Sequence, residues 1–370
     1  MRLSVFVIGI IIFKCIAADD EPTDTDQQTC AQNHSQPEYS WRPTGFVYQP
    51  GVMELHTEIE QFYEYVQQTP VERALRQRVI DRIELLVHQV WPSAEVKIIG
   101  SNVLGLALPN SDIDAMIVNA SGPSPIHSLA DVIVKSDIAV PDSIIVRDNL
   151  RVPIIEFTDR ESKIEIDLPL HDAATLKKAA HIKEFQRKYP VLSKLVLVLK
   201  QYLKLRKLNN VFTGGISAHP LTLMTISFLQ MHPTYKAGED ANLGELLLDF
   251  LELYGKKFDF ENFGLTVKDG GKYLPRNELP CGIFNDHYQL FCVEDPLVPV
   301  NACDDAYRAA EVKQAFSDAY NVLSAATSVT RMSTNQCTGD SILGRIIQVT
   351  DLIEYRKWIE QNLQHILQEL

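Results

Sequence analysis

The feature that most constrains this chain is a pair of carboxylates two residues apart, Asp112 and Asp114, in an apolar run just after a glycine turn. The stretch Val96 to Ile99 reads as a strand, Gly100-Ser101 follows, and a short turn-rich segment leads to a second strand carrying Asp112, Ile113 and Asp114. Residues two apart in a strand share a face, so both carboxylates project to one side while Ile113 turns to the core. Like charges held this close repel unless a proton or a cation lies between them. An all-oxygen donor set on extended backbone suits Mg²⁺, which also takes ligands from substrate phosphates.

A third carboxylate follows at Asp167. Ile164 and Ile166 alternate there with Glu165 and Asp167, the period of a strand. If that strand pairs beside the first, Asp167 joins Asp112 and Asp114, and three carboxylates can hold two metal ions roughly 4 Å apart for in-line displacement at phosphorus. The small turn at Gly100-Ser101 would let backbone amides and a hydroxyl meet phosphate oxygens. Asp-x-Asp and Gly-Ser are each common alone. Their order, strand, Gly-Ser, turn, Asp-x-Asp strand, single-Asp strand, is that of nucleotidyl transfer and resembles the catalytic palm of the DNA polymerase beta superfamily of nucleotidyltransferases.

The 370 residues suggest two domains. A net charge of −13 excludes holding nucleic acid on a general basic surface, so any RNA contact is local or assisted by a partner. Residues 1–18 resemble a secretory signal, with Arg2 as the positive end, an apolar core from Leu3 to Phe13, and Ala17 or Ala18 for cleavage; Lys14 is atypical. At about eleven residues that run is too short to span a bilayer. Residues 19–45, rich in Asp, Glu, Gln, Thr and Pro, read as a disordered tail. The six cysteines contain no Cys-x-x-Cys pair, and losing a signal would leave an odd number, so neither a zinc site nor a disulfide framework is indicated. Signal-like start and cytosolic-style cysteines leave the compartment open.

Helical spacing covers Gly51 to Thr69, and Thr69-Pro70 opens a second helix as N-cap and first position. Another helix is expected from Ile126 to Val134, with strands near Ser143 to Val146 and Val152 to Phe157. Beyond Asp167 the pattern turns helical: Leu176 to Tyr189, Pro190 to Leu205, Leu221 to Gln230, Asn242 to Tyr254, Ala309 to Leu323 and Leu352 to Leu367, with a strand at Phe291 to Pro296. Ten Lys or Arg against one acid, Glu184, lie between Lys177 and Lys207. In so acidic a chain this local patch suits a triphosphate or an RNA backbone, with a solvated helix face the competing reading for most of its members. Lys200 is different, being set inside the apolar run Leu195 to Leu203.

The runs Lys188 to Leu192, Leu197 to Gln201, Val211 to Ser217, Glu294-Asp295-Pro296 and Ser341 to Arg345 are similar to the Trf-type poly(A) RNA polymerases, the template-independent adenylyltransferases of the nuclear TRAMP RNA-surveillance complex. The likeness runs from roughly Trp41 to Ile359. It implies an α+β fold: N-terminal helices and a mixed-sheet nucleotidyltransferase palm domain at 46–170, and a mainly helical central (PAP-associated) domain at 171–370, with the nucleotide between them. It implies that Asp112, Asp114 and Asp167 bind Mg²⁺ or Mn²⁺, with Asp167 nearest the attacking 3′-hydroxyl. By the same resemblance Gly100 and Ser101 touch the triphosphate of ATP, Lys200 and Lys204 neutralise the leaving pyrophosphate, Ser217 and His219 line the nucleotide pocket, and the segment from Asp295 to Asn301 meets the base. It further implies an RNA 3′ end as acceptor, a zinc-knuckle RNA-binding protein and a helicase as partners, and a nuclear location; the sequence itself shows no membrane span.

The chain departs from the family at several of these positions. Ser217-Ala218-His219 stands where the family usually has Ser-Ser-Tyr, and Ala174-Thr175 replaces Asn-Gly at the ribose. Losing a phosphate-binding hydroxyl costs about 1 kcal/mol. Three readings follow: an RNA 3′-adenylyltransferase; a catalytically weak or inactive relative that binds RNA or a partner; and a small-molecule nucleotidyltransferase sharing only the palm. The long match beyond the palm argues against the last.

Overall fold

The computed structural model describes residues 40–363 apart from 44, 47, 123, 151, 237–240, 280–288 and 329–339. The signal-like segment, almost all of the tail, and Cys15, Cys30, Cys281 and Cys337 lie outside the described residues. Two helices come first, α1 (Val52–Tyr65) and α2 (Pro70–Val90). α2 begins where its sequence says: the Thr69 hydroxyl accepts from the Glu72 amide while the Glu72 carboxylate accepts from the Thr69 amide, and Pro70 occupies a position whose N–H would be unpaired anyway.

A five-stranded sheet follows, built from β1 (Glu95–Ile98), β2 (Ile113–Val118), β3 (Ile145–Arg147), β4 (Ile154–Thr158) and β5 (Glu165–Pro169) in the order β1-β2-β5-β4-β3. β2 and β5 pair parallel and the other neighbours antiparallel, so the sheet is mixed. A five-residue helix, α3 (Gly100–Leu104), leads out of β1, and α4 (Pro125–Lys135) joins β2 to β3. α2 and α4 pack on one face of the sheet. Val79, Ile83, Leu129 and Ile133 meet Ile113, Ile117, Ile155 and Ile166 there, all of them buried. Each such side chain contributes roughly 1.5–3 kcal/mol.

The second core is helical. It is built from α5 (Ala173–Lys188), α6 (Leu192–Leu205), α7 (Ala218–Met231), α8 (Leu243–Glu252) and α9 (Ala309–Thr327), with a two-stranded ribbon of β6 (Phe263–Thr266) and β7 (Lys272–Pro275) at its side. A last helix, α10 (Thr350–Asn362), ends the described chain. α7 begins at Ala218, three residues before its expected start, because Pro220 falls in the first turn, where a missing N–H is tolerated.

The two cores do not follow two consecutive stretches of chain. α1, grouped with the palm by its place in the sequence, buries Leu55, Ile59 and Phe62 in the helical core against α6 and α8. Ile359 of α10, and Leu363 just after it, are buried in the palm core instead. The expected strand at Phe291 to Pro296 is reduced to isolated bridges, Leu265 to Val293 and Glu294 to Asn301. The Val293 amide is taken by the Asn301 side chain rather than by a ladder partner. Among the described residues no helix is long and apolar enough to cross a membrane.

Candidate active site

Parallel pairing of β2 with β5 sets Ile113 opposite Ile166 and Asp114 opposite Asp167. Both isoleucines are fully buried, which pins the register: a slip by one residue would turn carboxylates into the core. Asp112 sits one residue before β2, and ligand atoms of Asp112, Asp114 and Asp167 all lie within 4.8 Å of one another. Burial first, and then the charge of Asp112, pushes Asp114 up to about 7 against the opposing pull of Lys200 and Arg76. Burial and the charges of Asp112 and Asp114 push Asp167 up to about 8.

Gly100 is not in a turn, as its sequence suggests, but at the first position of α3, with φ of 62°. A Cβ there would lie 2.2 Å from Asp114 Oδ2, so only glycine lets the backbone pass beneath that carboxylate. Ser101 is buried and its Oγ has no hydrogen-bond partner among the described residues. Lys200 donates to the Leu106 carbonyl at 3.1 Å and to Ser111 Oγ at 3.4 Å; burial lowers its pKa while Asp112 and Asp114 hold it up. Lys204 reaches Asn110 Oδ1 and Asp351 Oδ2, each at 2.8 Å. These residues and the triad line one cleft of about 390 Å³ between the palm and the helical core.

The opposite wall holds Ser217, Ala218 and His219 at the start of α7, where the Ser217 side chain caps no amide of the helix. Asp295 does not face the cleft. Its buried Oδ2 accepts from His219 Nε2 at 3.1 Å and from Lys178 Nζ at 2.8 Å, and its Oδ1 from the amides of Leu297 and Val298. Asn301 is also occupied: its Oδ1 accepts from the amides of Val293 and Cys303 and its Nδ2 donates to the Phe291 carbonyl. These hydrogen bonds shape the loop from Asp295 to Asn301, which the resemblance assigns to the base, and they tie His219 to it.

Several residues at the site carry no motif. Arg76 of α2 is buried; its Nη2 donates to the carbonyls of Ser111 and Asp112, while Nε and Nη1 make no hydrogen bond among the described residues. Its only signal in the sequence is an arginine beside the apolar stripe of Leu75, Val79 and Ile83. Asn110 and Asp351, joined at 3.0 Å, are 241 positions apart and carry no sequence signal at all.

The donor set fits divalent cations. Three carboxylates, two of them raised toward neutrality by burial and mutual repulsion despite Lys200 and Arg76, lie beside the buried Ser101 hydroxyl and offer the all-oxygen donor set that such cations take. Fold and site together define a nucleotidyltransferase.

Comparison with known proteins narrows the class. Residues 55–187 match the family described as poly(A) RNA polymerase, mitochondrial-like, central palm domain, and residues 242–301 match the Cid1 family poly A polymerases. A Drosophila melanogaster protein named inactive non-canonical poly(A) RNA polymerase Trf4-2 is 38% identical over 346 residues, which cover 90% of this chain and 84% of that one. Poly(A) RNA polymerase cid14 of Schizosaccharomyces pombe is 32% identical over 332 residues, covering 84% of this chain but 46% of the relative, so the chain spans about half of that protein. The polymerase core of TRAMP, an RNA surveillance complex, superposes with a TM-score of 0.71 at 31% identity over 81% of this chain and 96% of that structure. The chain belongs to the non-canonical poly(A) RNA polymerase family.

Proposed function

We propose that this protein is a template-independent RNA 3′-adenylyltransferase, transferring AMP from ATP to an RNA 3′ end with Mg²⁺ or Mn²⁺ held by Asp112, Asp114 and Asp167. The observation that carries this reading is the complete triad on two adjacent parallel strands, with ligand atoms within 4.8 Å. Bound divalent ions would polarise the α-phosphate and lower the pKa of the attacking hydroxyl. The Ser101 hydroxyl donates to a phosphate oxygen, replacing the partner it lacks. Lys200 and Lys204 neutralise charge on the departing pyrophosphate. Asp167, on the strand beside Asp114, accepts the proton of the RNA 3′-hydroxyl. The bond from α-phosphorus to the bridging oxygen breaks as that from the 3′-oxygen forms.

The likeness to the polymerase core of TRAMP, an RNA surveillance complex, supports a role in RNA surveillance; we place that role in the nucleus, with a zinc-knuckle RNA-binding protein and a helicase supplying the RNA affinity that a net charge of −13 denies the chain. A binding-only protein is the second reading. It is favoured by Ala218 in place of a hydroxyl, and by a fruit-fly relative whose name includes the word inactive.

Primer extension separates the two. The full chain is incubated with labelled single-stranded RNA, Mg²⁺ or Mn²⁺, and each nucleotide separately. Extension with ATP that is absent from an Asp112→Ala, Asp114→Ala variant is the expected result. No extension with any nucleotide, with partner proteins present, sinks the enzymatic reading; calorimetric titration of ATP with metal then shows whether the pocket still binds.

A further inference from the structure

The cleft has two ends, and the strand order keeps them apart. Ser101, Asn110, Ser111 and Lys200 gather around the connection from β1 to β2. Displacement in line at phosphorus requires the leaving and attacking oxygens to lie on opposite sides of it. If pyrophosphate leaves toward those groups, the RNA terminus arrives from the side of β5, β4 and β3. On that side the structure presents an aromatic ring left more than half exposed.

Phe212, on the loop after α6, is 54% exposed and lines the same cleft as the triad. The Arg147 guanidinium, from β3, sits over the ring at 4.2 Å from its centroid. Arg147 is itself fixed by Glu156, which accepts from its Nε at 3.0 Å and from its Nη2 at 2.9 Å. Glu156 is the residue opposite Asp167 in the β4–β5 ladder. Ring, guanidinium, carboxylate and Asp167 thus form one continuous row from the rim of the cleft to the reacting centre. Tyr307, 67% exposed, lays its ring against Gly214, two residues beyond Phe212. A phenylalanine oriented on one side by a held cation, with its ring open to the cleft, is built to receive a second flat group.

We infer that Phe212, backed by Arg147, is the stacking platform for the 3′-terminal base of the acceptor RNA. The inference rests on the adenylyl-transfer reading and adds to it the place of the acceptor. Stacking tolerates any base because each has a π-face. An enzyme that extends its own product must accept first the original terminal base and then the one it has just added, and a ring does so where a hydrogen-bonding pocket would not.

The test uses the full chain and a short single-stranded RNA ending in 2-aminopurine, whose fluorescence is quenched by stacking. The wild type and Phe212→Trp quench it on binding, and Phe212→Ala does not. This readout needs no turnover, so it separates failure of the platform from failure of the adenylyl-transfer reading. In extension assays Phe212→Ala raises the KM for RNA roughly tenfold, as expected for one lost base–aromatic stack. It leaves the KM for ATP unchanged and abolishes the wild-type preference for a normal over an abasic 3′ terminus. Equal quenching by wild type and Phe212→Ala, or an unchanged KM for RNA, overturns the assignment. So does a Phe212→Ala variant that loses a protein partner while terminal-base quenching stays intact.

Discussion

Gly100→Ala is the sharpest probe of the site, because two separate costs can be worked out and told apart. Gly100 has φ of 62°, a conformation that costs a residue with a Cβ about 1–2 kcal/mol. The new methyl would also lie 2.2 Å from Asp114 Oδ2 and 2.9 Å from its Cγ, far inside contact, so the carboxylate must swing away from Asp112 and Asp167. A displacement of about 1 Å at a reacting centre can cost on the order of 10²-fold in rate. Gly105 supplies the control. It has φ of 65°, but a methyl placed there would meet nothing within 4 Å, so Gly105→Ala carries the backbone cost alone. Urea midpoints should show both variants destabilised by about 1–2 kcal/mol. Single-turnover AMP incorporation at saturating metal should fall roughly a hundredfold only in Gly100→Ala. If Gly100→Ala transfers AMP at the wild-type rate, Asp114 is not held where the geometry puts it, and the metal-site reasoning fails with it.

Four further variants have expected outcomes. Lys200→Met, which removes the cation beside Asp112 and Asp114, should lower the transfer rate roughly 10²-fold in single-turnover assays with little change in KM for RNA. Glu58 is buried in α1 and accepts from the Ser341 hydroxyl and from the amides of Ile342 and Leu343, so Glu58→Ala should cost roughly 2–4 kcal/mol by urea denaturation, through two stranded amides. Burial pushes Glu58 from an ordinary 4.5 up to about 7, so the stability it adds by protonation is full below the ordinary value and lost as pH rises toward 7; the wild type should therefore lose ground to Glu58→Gln across that interval. Burial raises Asp295, but hydrogen bonds from His219 and Lys178 outweigh it and hold the carboxyl well below the usual range. Asp295→Asn should accordingly cost roughly 1–3 kcal/mol at neutral pH and raise the KM for ATP by freeing His219, while the wild type keeps its advantage on acidification until below the usual carboxylate range.

How far the sequence reveals this site depends on how local each signal is. Asp112, Asp114 and Asp167 are legible because a strand repeats every two residues, and one pairing of two strands with alternating isoleucines brings all three together. Helix starts are legible where a side chain caps its own backbone, as at Thr69. Gly100 reads as part of a turn because a glycine with positive φ can equally begin a five-residue helix, and no capping residue marks the difference. β6 and β7 escape notice because four-residue strands punctuated by Gly264 and bounded by Gly271 show no period. Arg76, Asn110 and Asp351 are invisible for another reason: their roles arise only when distant segments meet, and no spacing along the chain encodes that meeting. Asp295 and Asn301 are named by resemblance alone, because their hydrogen bonds to His219, to Lys178 and to the loop's amides join groups that no spacing along the chain relates.

The crossing of the chain's ends between the two cores has a consequence for biosynthesis. The palm strands are complete by Pro169, but Ile359 and Leu363, which help to close their apolar core, come from α10 and its C-cap. About 180 residues separate the last palm strand from α10, and at roughly 5–20 residues per second the ribosome takes some ten to forty seconds to add them. Throughout that interval the palm core lacks Ile359 and Leu363 and the Glu72 carboxylate of α2 lacks Arg356, while α1 waits for α6 and α8 to bury Leu55 and Phe62. Neither core can be completed from the stretch of chain that supplies most of it, so the palm and the helical part reach their final packing only after α10 has been made.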